Sequence, residues 1–230
     1  MRNILGETPV GSLHGRSLFS TRFVSAADIE DKTILDVGCG FGWFEHNAVH
    51  RGCKRIVGIE PTPSDLETAR KYVKSTRAIF TVGNAINIPF ECSTFDTVVS
   101  WEVLEHIPRN SEETMFREIH RVLKKGGAFY MSTPNNSFIA NICDPAWWLI
   151  GHRHYLPREL EYLARETGFT TERIVLKGGF WEILGINDLY VAKWMFRRRP
   201  FLEGLIQKMQ DREYQKKGGF ESIFVKLVKP

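Results

Sequence analysis

Residues 34–42, Ile-Leu-Asp-Val-Gly-Cys-Gly-Phe-Gly, constrain this chain more than any other stretch. A short apolar run enters a turn with glycine at 38, 40 and 42, and a helical pattern begins near Trp43. Such a strand–loop–helix unit brings backbone very close to a bound ligand. Glycines allow it, because without a Cβ they reach positive φ and leave room beside the main chain.

Which ligand follows from the neighbouring side chains. A dinucleotide-binding turn spaces its last glycine three after the second, where a tight helix–strand contact excludes a side chain. Trp43 stands there. Asp36, in the strand before the turn, puts a carboxylate where a cationic amino group is welcome and a pyrophosphate is repelled. Arg55–Glu60 reads as a second buried strand ending in a carboxylate, which can accept both hydroxyls of a ribose. These features favour S-adenosylmethionine (SAM) over a dinucleotide.

Further blocks follow in order: Gly83-Asn84-Ala85, Ile88-Pro89-Phe90, Phe95 through Ile107 with Trp101-Glu102-Val103-Leu104-Glu105-His106 inside it, and Leu123 through Met131. Together they resemble the class I SAM-dependent methyltransferases, within the broad subgroup of ubiquinone, menaquinone, small-molecule, glycan and lipid methyltransferases. The resemblance covers roughly residues 30–177. It implies an α/β fold, a single doubly wound Rossmann-like sheet of seven strands, with SAM as cofactor and S-adenosylhomocysteine as product. It places Asp36, Gly38 and Gly40 at the methionine moiety, Glu60 at the ribose, and Asn84 with Ala85 at the adenine edge. Trp101, at the tip of the fourth strand, would pack on the cofactor. Plainer readings stand beside these: a helix-capping Glu60, a turn-forming Asn84 and a core-packing Trp101.

The chain has 230 residues, 43% of them hydrophobic, enough for one full α/β core. No run reaches the roughly 18 apolar residues needed to cross a bilayer, and no secretory leader opens the sequence. Cys39, Cys53, Cys92 and Cys143 form no C-x-x-C pair and read as reduced thiols, so a cytoplasmic location is expected. Strands are expected near 33–37, 54–60, 78–82, 96–101, 127–132, 171–177 and 222–229, and helices near 42–51, 63–75, 111–123 and 157–167. Gly126-Gly127 reads as the stop of the helix begun at Ser111. The expected organisation is a cover segment at 1–30, a SAM-binding core at 31–177, a helical insertion at 178–219, and a last core strand at 220–230. Within the insertion two helices are expected, near 182–197 and 201–216, broken at Pro200. Ile183, Ile186, Leu189, Tyr190 and Trp194 would share one apolar face.

Methyl transfer to oxygen generally needs a base, and His106 is the leading candidate, just past the fourth strand where ligands collect. Structural packing is the alternative. His152, His154 and Tyr155 precede a helix beginning near Pro157 and are candidates to contact the acceptor; a helix-entry hydrogen bond is the plainer reading of His154. His46 and His50 have the spacing of metal ligands on a helix but lack a third partner, so no metal is expected. From Lys193 to Lys217 the local net charge is +5 within a whole-chain +4, and an aromatic stretch at 181–199 leads into Arg197-Arg198-Arg199. That pattern fits peripheral contact with an anionic membrane, or a helical hairpin covered by the domain or by a second subunit. Nucleic acid is not the expected partner, because the basic residues lie in one segment. The resulting expectation is a SAM-dependent methyltransferase acting, most plausibly at oxygen, on a small-molecule or lipid- or glycan-linked acceptor. RNA or protein methylation, and a non-catalytic SAM-binding regulator, are the alternatives.

Overall fold

Strands that are apolar on both sides need helices on both faces. In the computed structural model, which describes residues 11–230, seven strands meet that need: β1 Thr33–Val37, β2 Arg55–Glu60, β3 Ala78–Val82, β4 Phe95–Trp101, β5 Leu123–Pro134, β6 Thr170–Lys177 and β7 Ser222–Val228. They form one sheet in the order β3-β2-β1-β4-β5-β7-β6. The first five pair in parallel, and β7 enters antiparallel between β5 and β6. The expected doubly wound seven-stranded sheet is the observed one. The order reverses at β1 and β4, and the crevice beyond their carboxyl ends is where such sheets bind ligands.

Alternation along β1 sends Leu35 and Val37 to one face and Ile34 to the other. Helices α4 (Glu112–Val122) and α7 (Pro157–Glu166) cover the first face with Met115, Phe116, Ile119 and Leu160. The second is covered by α1 (Gly15–Phe23) and α2 (Trp43–His50) through Phe23, Phe44 and Ala48. Helix α3 (Pro63–Tyr72) packs beside β2 and β3. Two short helices, α5 (Phe138–Cys143) and α6 (Pro145–Ile150), follow β5. Of the expected cover segment, residues 1–10 lie outside the described residues.

Two local readings are corrected. Helix α4 ends at Val122, and Leu123 is already extended. Gly126-Gly127 therefore does not stop the helix; it lies in β5, where Gly126 takes φ +74 and the register with β4 shifts. The glycines serve a strand irregularity, which positive φ also favours. The second correction concerns the insertion. Helix α8 (Phe180–Tyr190) runs through a π turn at Val191–Met195, and α9 (Glu203–Gln215) follows the break at Pro200. Ile183, Ile186, Leu189 and Tyr190 are only half-buried, while the buried side chain of α8 is Glu182. The Trp194 side chain lies outside the described residues. Because α8 is apolar on nearly every side, periodicity alone could not select its inner face.

Glu182 turns inward toward Arg16 of α1. That guanidinium donates to Glu102 at the end of β4, lies 3.4 Å from Glu182, and lies 4.0 Å from Glu221 ahead of β7. One cation thus ties α1, the insertion and two strands of the sheet. Helix α9 lies against α1 as well, with Asp211 accepting from the Gly15 N–H at 2.7 Å. Burial pushes the Glu221 carboxyl up to about 8; Arg16 opposes the shift, and Glu182 and Glu102 add to it. A carboxyl whose folded pKa exceeds its unfolded value of about 4.3 holds its proton better when folded. Its contribution to stability is complete below the unfolded value and is lost as pH rises through about 8. Denaturant titrations between about pH 5 and 8 should show stability falling with pH, and Glu221→Gln should flatten that fall. An unchanged slope in the variant would remove Glu221 as its source.

Candidate active site

The glycine loop leaves β1 at Val37 and is tied back to β2. Gly38 and Cys39 both donate their N–H to the Ile59 carbonyl, at 2.8 and 3.1 Å. Gly40 donates to Glu60 Oε2 at 3.3 Å, and Thr62 to Glu60 Oε1 at 3.2 Å. Gly40 holds φ +50, and a Cβ there would meet nothing within 4 Å. Backbone is therefore open to a ligand at this point. Gly42 differs: its φ is +84, and a Cβ would press on Ala69 and Phe80 at 3.1 Å. It is a packing glycine, required for α2 to start against α3.

Behind the loop lies a buried acidic pair. Asp36 is enclosed, and its Oδ1 has no hydrogen-bond partner. Burial pushes the Asp36 carboxyl well up, with Glu60 the next contributor. Glu45, in the first turn of α2, is fully enclosed too; burial and then Asp36 push it up. Its sequence position reads as an ordinary first-turn acid on a solvated face, so nothing local marks it as buried.

Beside Gly38 opens a cavity of about 280 Å³, lined by Val37, Gly83, Asn84, Ala85, Val103 and Ile107 among others, with His106 in its wall. Asn84 turns its Oδ1 to the Ile86 and Asn87 N–H groups at 3.0 and 2.8 Å, a local Asx turn. Ala85 is buried against the core. Trp101 is away from this wall: its ring packs with Phe44 at 5.7 Å and Phe224 at 6.4 Å between centroids, and its buried Nε1 has no partner. Gly38, Asn84, Ala85 and His106 thus share one cavity. Asp36, Gly40 and Glu60 lie along the loop next to it.

A row of polar side chains runs away from His106. His106 Nε2 lies 3.2 Å from His152 Nε2, and His152 Nδ1 lies 3.3 Å from Asp144 Oδ2. His154 Nε2 is 2.9 Å from that same oxygen, and its Nδ1 is 2.7 Å from Asn141 Oδ1. The His154 side chain is only 1% exposed. It therefore faces inward, as does Tyr155, whose hydroxyl contacts the Leu104 carbonyl and Glu112 at 3.1 Å. Arg153 donates to Glu112 and to the Leu104 and Ile107 carbonyls, which fixes the loop carrying His106. Burial lowers the His106 pKa to about 4, with His152 the next cause. Its imidazole is neutral at pH 7, a proton acceptor rather than a cation. The sequence offered no sign of Asp144, which matters only through partners brought together by folding, and although Glu105 stands in the block ahead of His106, nothing local marks it as buried.

These residues fit SAM. An orphaned buried carboxylate, open backbone at Gly40 and an apolar cavity ahead of the Asn84 turn suit an ammonium group, a close main-chain approach and a purine in turn. Residues 35–131 match the family model described as a methyltransferase domain. Over 110 residues the chain is 36% identical to the tRNA U34 carboxymethyltransferase of Actinobacillus succinogenes, covering 46% of this chain and 34% of that protein. Over 122 residues it is 30% identical to the ubiquinone biosynthesis O-methyltransferase of Neisseria meningitidis serogroup C, covering 48% of each. The chain spans about a third of the first relative's length and about half of the second's. The solved structure of an S-adenosylmethionine-dependent methyltransferase from Mesorhizobium loti is similar in fold, with TM-score 0.63 and 17% identity over 92% of this chain and 96% of that one.

An ammonium group against Asp36 would hold its carboxylate ionised and displace the proton that burial retains. Over the pH range in which burial keeps Asp36 protonated, binding of S-adenosylhomocysteine should therefore release protons, measurable by calorimetry in buffers of different ionisation enthalpy. Asp36→Asn should bind more weakly and release none. Tight binding without proton release in the wild type would separate Asp36 from the ammonium.

Proposed function

We propose that this chain, whose residues 35–131 match a methyltransferase domain model, is a class I SAM-dependent methyltransferase that transfers a methyl group to an oxygen of a small-molecule or lipid- or glycan-linked acceptor. When bound, SAM supplies an electrophilic methyl on a sulfonium centre. Asp36, Gly38 and Gly40 would hold the methionine moiety, Glu60 the ribose and the Asn84-Ala85 turn the adenine. What supports oxygen as the acceptor atom is the neutral His106 in the cavity wall. With a proton on His152 Nδ1 facing Asp144, His152 Nε2 is an acceptor for the His106 Nε2–H. That tautomer leaves His106 Nδ1 to take the proton of an acceptor hydroxyl. His152 and Asp144 act through His106 and are positioning residues.

The matched region ends at Met131, so the acceptor is read from residues beyond it. Thirteen of the fifteen exposed large hydrophobic side chains among the described residues fall from Phe138 to Leu205. Phe180, Leu184, Val191 and Met195 are spaced as one stripe, and Asn187 in the same stripe donates to the Cys143 carbonyl of α5 at 2.9 Å. Phe138, Ile139 and Ile142 of α5 are exposed beside it, and Arg197, Arg198 and Arg199 are all exposed. Helix α5 begins just past the end of β5, at the sheet edge that carries the glycine loop. An apolar surface joined to a basic cluster supports peripheral contact with an anionic bilayer. Among the described residues no helix is long and apolar enough to cross one. These features support a lipid-linked acceptor over a free metabolite. The likeness to the tRNA enzyme spans only 34% of that protein, and the basic residues outside 193–217 do not exceed the acidic ones.

Release of S-adenosylhomocysteine with quinol, sugar and polyprenyl-linked acceptors measures the activity. His106→Ala should lower turnover on the order of 10²–10⁴ while leaving SAM affinity nearly unchanged. The acid limb of kcat/KM should fall only near the His106 value of about 4. Survival of turnover within a few fold would remove His106 as the base.

Liposome co-sedimentation tests the surface. Each arginine near an anionic bilayer contributes about 1 kcal/mol, so changing Arg197, Arg198 and Arg199 together to Glu should weaken binding to anionic vesicles by at least about 10². Equal binding to neutral vesicles, or none to either, would discard the membrane acceptor. Salt-sensitive binding to RNA instead would favour a nucleic-acid acceptor.

A further inference from the structure

We propose that His106, His152 and Glu105 form a binding site for a divalent transition-metal ion, Zn²⁺ by ligand type, which switches off the proposed base. The two Nε2 atoms face each other at 3.2 Å. Two nitrogens bound to one zinc ion at about 2.0–2.1 Å and at a tetrahedral angle lie about 3.3 Å apart. The same spacing that suits a shared proton therefore suits a shared metal ion. A carboxylate oxygen of Glu105 lies within 4.8 Å of a ring nitrogen of each histidine. Glu105 is 4% exposed and its Oε1 has no hydrogen-bond partner, whereas Oε2 accepts from Thr133 at 3.0 Å. A buried carboxylate with one unpartnered oxygen, close to two imidazoles, is what a cation would complete, and two histidines with one glutamate are a familiar three-ligand zinc set.

The surroundings support the same nitrogen. His152 Nδ1 faces Asp144 Oδ2 at 3.3 Å, the outer carboxylate that commonly orients a metal-bound imidazole and directs its Nε2 lone pair to the ion. Asp144, His152 and His154 could form a second set. His154, however, is enclosed and its two nitrogens already contact Asp144 and Asn141. The ion therefore goes to the Nε2 side of His152, next to the cavity wall.

Occupancy changes the chemistry of His106. A neutral imidazole that binds metal through Nε2 carries its proton on Nδ1, so it has no lone pair left for an acceptor hydroxyl. This effect on turnover rests on the reading of His106 as base; the binding does not. Three protein ligands leave a fourth position for water.

Metal-free protein titrated calorimetrically with Zn²⁺, in the absence of any acceptor, should bind one equivalent with micromolar or tighter affinity. Co²⁺ should give the visible absorption of a tetrahedral site. His152→Ala and Glu105→Gln should each weaken binding at least tenfold, and His46→Ala, on the distant helix pair, should leave it unchanged. An S-adenosylhomocysteine-dependent rise in melting temperature checks that each variant is folded. No binding to the wild type, or binding equal in folded His152→Ala, overturns the site. Stoichiometric binding to a protein with no methyl-transfer activity would uphold the site and discard the base instead. With activity present, loss of turnover as Zn²⁺ is added, restored by a chelator, is the expected regulatory outcome; unchanged turnover at full loading overturns the switch.

Discussion

One carbonyl organises the cofactor end of this molecule. Ile59 O accepts from both Gly38 and Cys39, so the turn after β1 cannot swing free of β2. That double contact bends the chain sharply enough for α2 to begin at Trp43, and it brings Glu60 within reach of the Gly40 N–H. The open backbone at Gly40 and the enclosed Asp36 both depend on it. Parallel pairing of Val37 with Ile59 sets this carbonyl's position, so the sheet's register is also the register of the site. A one-residue slip would reverse which side chains meet the core and carry Asp36 out of the crevice.

Much of this was legible in the chain itself. Strand β1, β2 and β4 are runs of Ile, Val, Leu and Thr bounded by glycine or charge, and their observed limits fall within a residue of those expected. The glycine loop was legible because three glycines in five residues have few structural uses. What periodicity could not show was orientation on an element apolar all round: α8 presents Phe180 and Leu184 to the outside and Glu182 to Arg16. Glu182, one of two acids in an otherwise apolar helix, was the available signal, and its partner lies 166 residues away. Contacts of that range decide the rest of the site. His106 and His152 are 46 residues apart, and Arg16 and Glu102 are 86 apart. No local pattern reports which of the many charged residues will meet.

The polar groups of the site fall into two regimes. Near the glycine loop, Asp36 and Glu45 are enclosed with few partners, a costly arrangement that a cationic ligand can offset. Near the cavity wall, His106, His152, Asp144 and His154 satisfy one another in sequence. The first region is poised for a charge, and the second for a proton or its substitute.

The insertion carries a consequence for how such a chain could change over time. Lys177 and Ser222 are register partners on adjacent antiparallel strands, so the insertion leaves the sheet and returns to the same point. Relative to a hairpin turn of a few residues, closing so long a loop costs only about 2 kcal/mol of chain entropy. The burial of Ile206 and Tyr214 of α9 is enough to offset it. The segment is thus a graft onto a completed sheet, exchangeable in principle without disturbing strand order. Its root is less free, because Arg16 and Asp211 bind it to α1, so an exchange that keeps α1 must supply a carboxylate where Glu182 now stands.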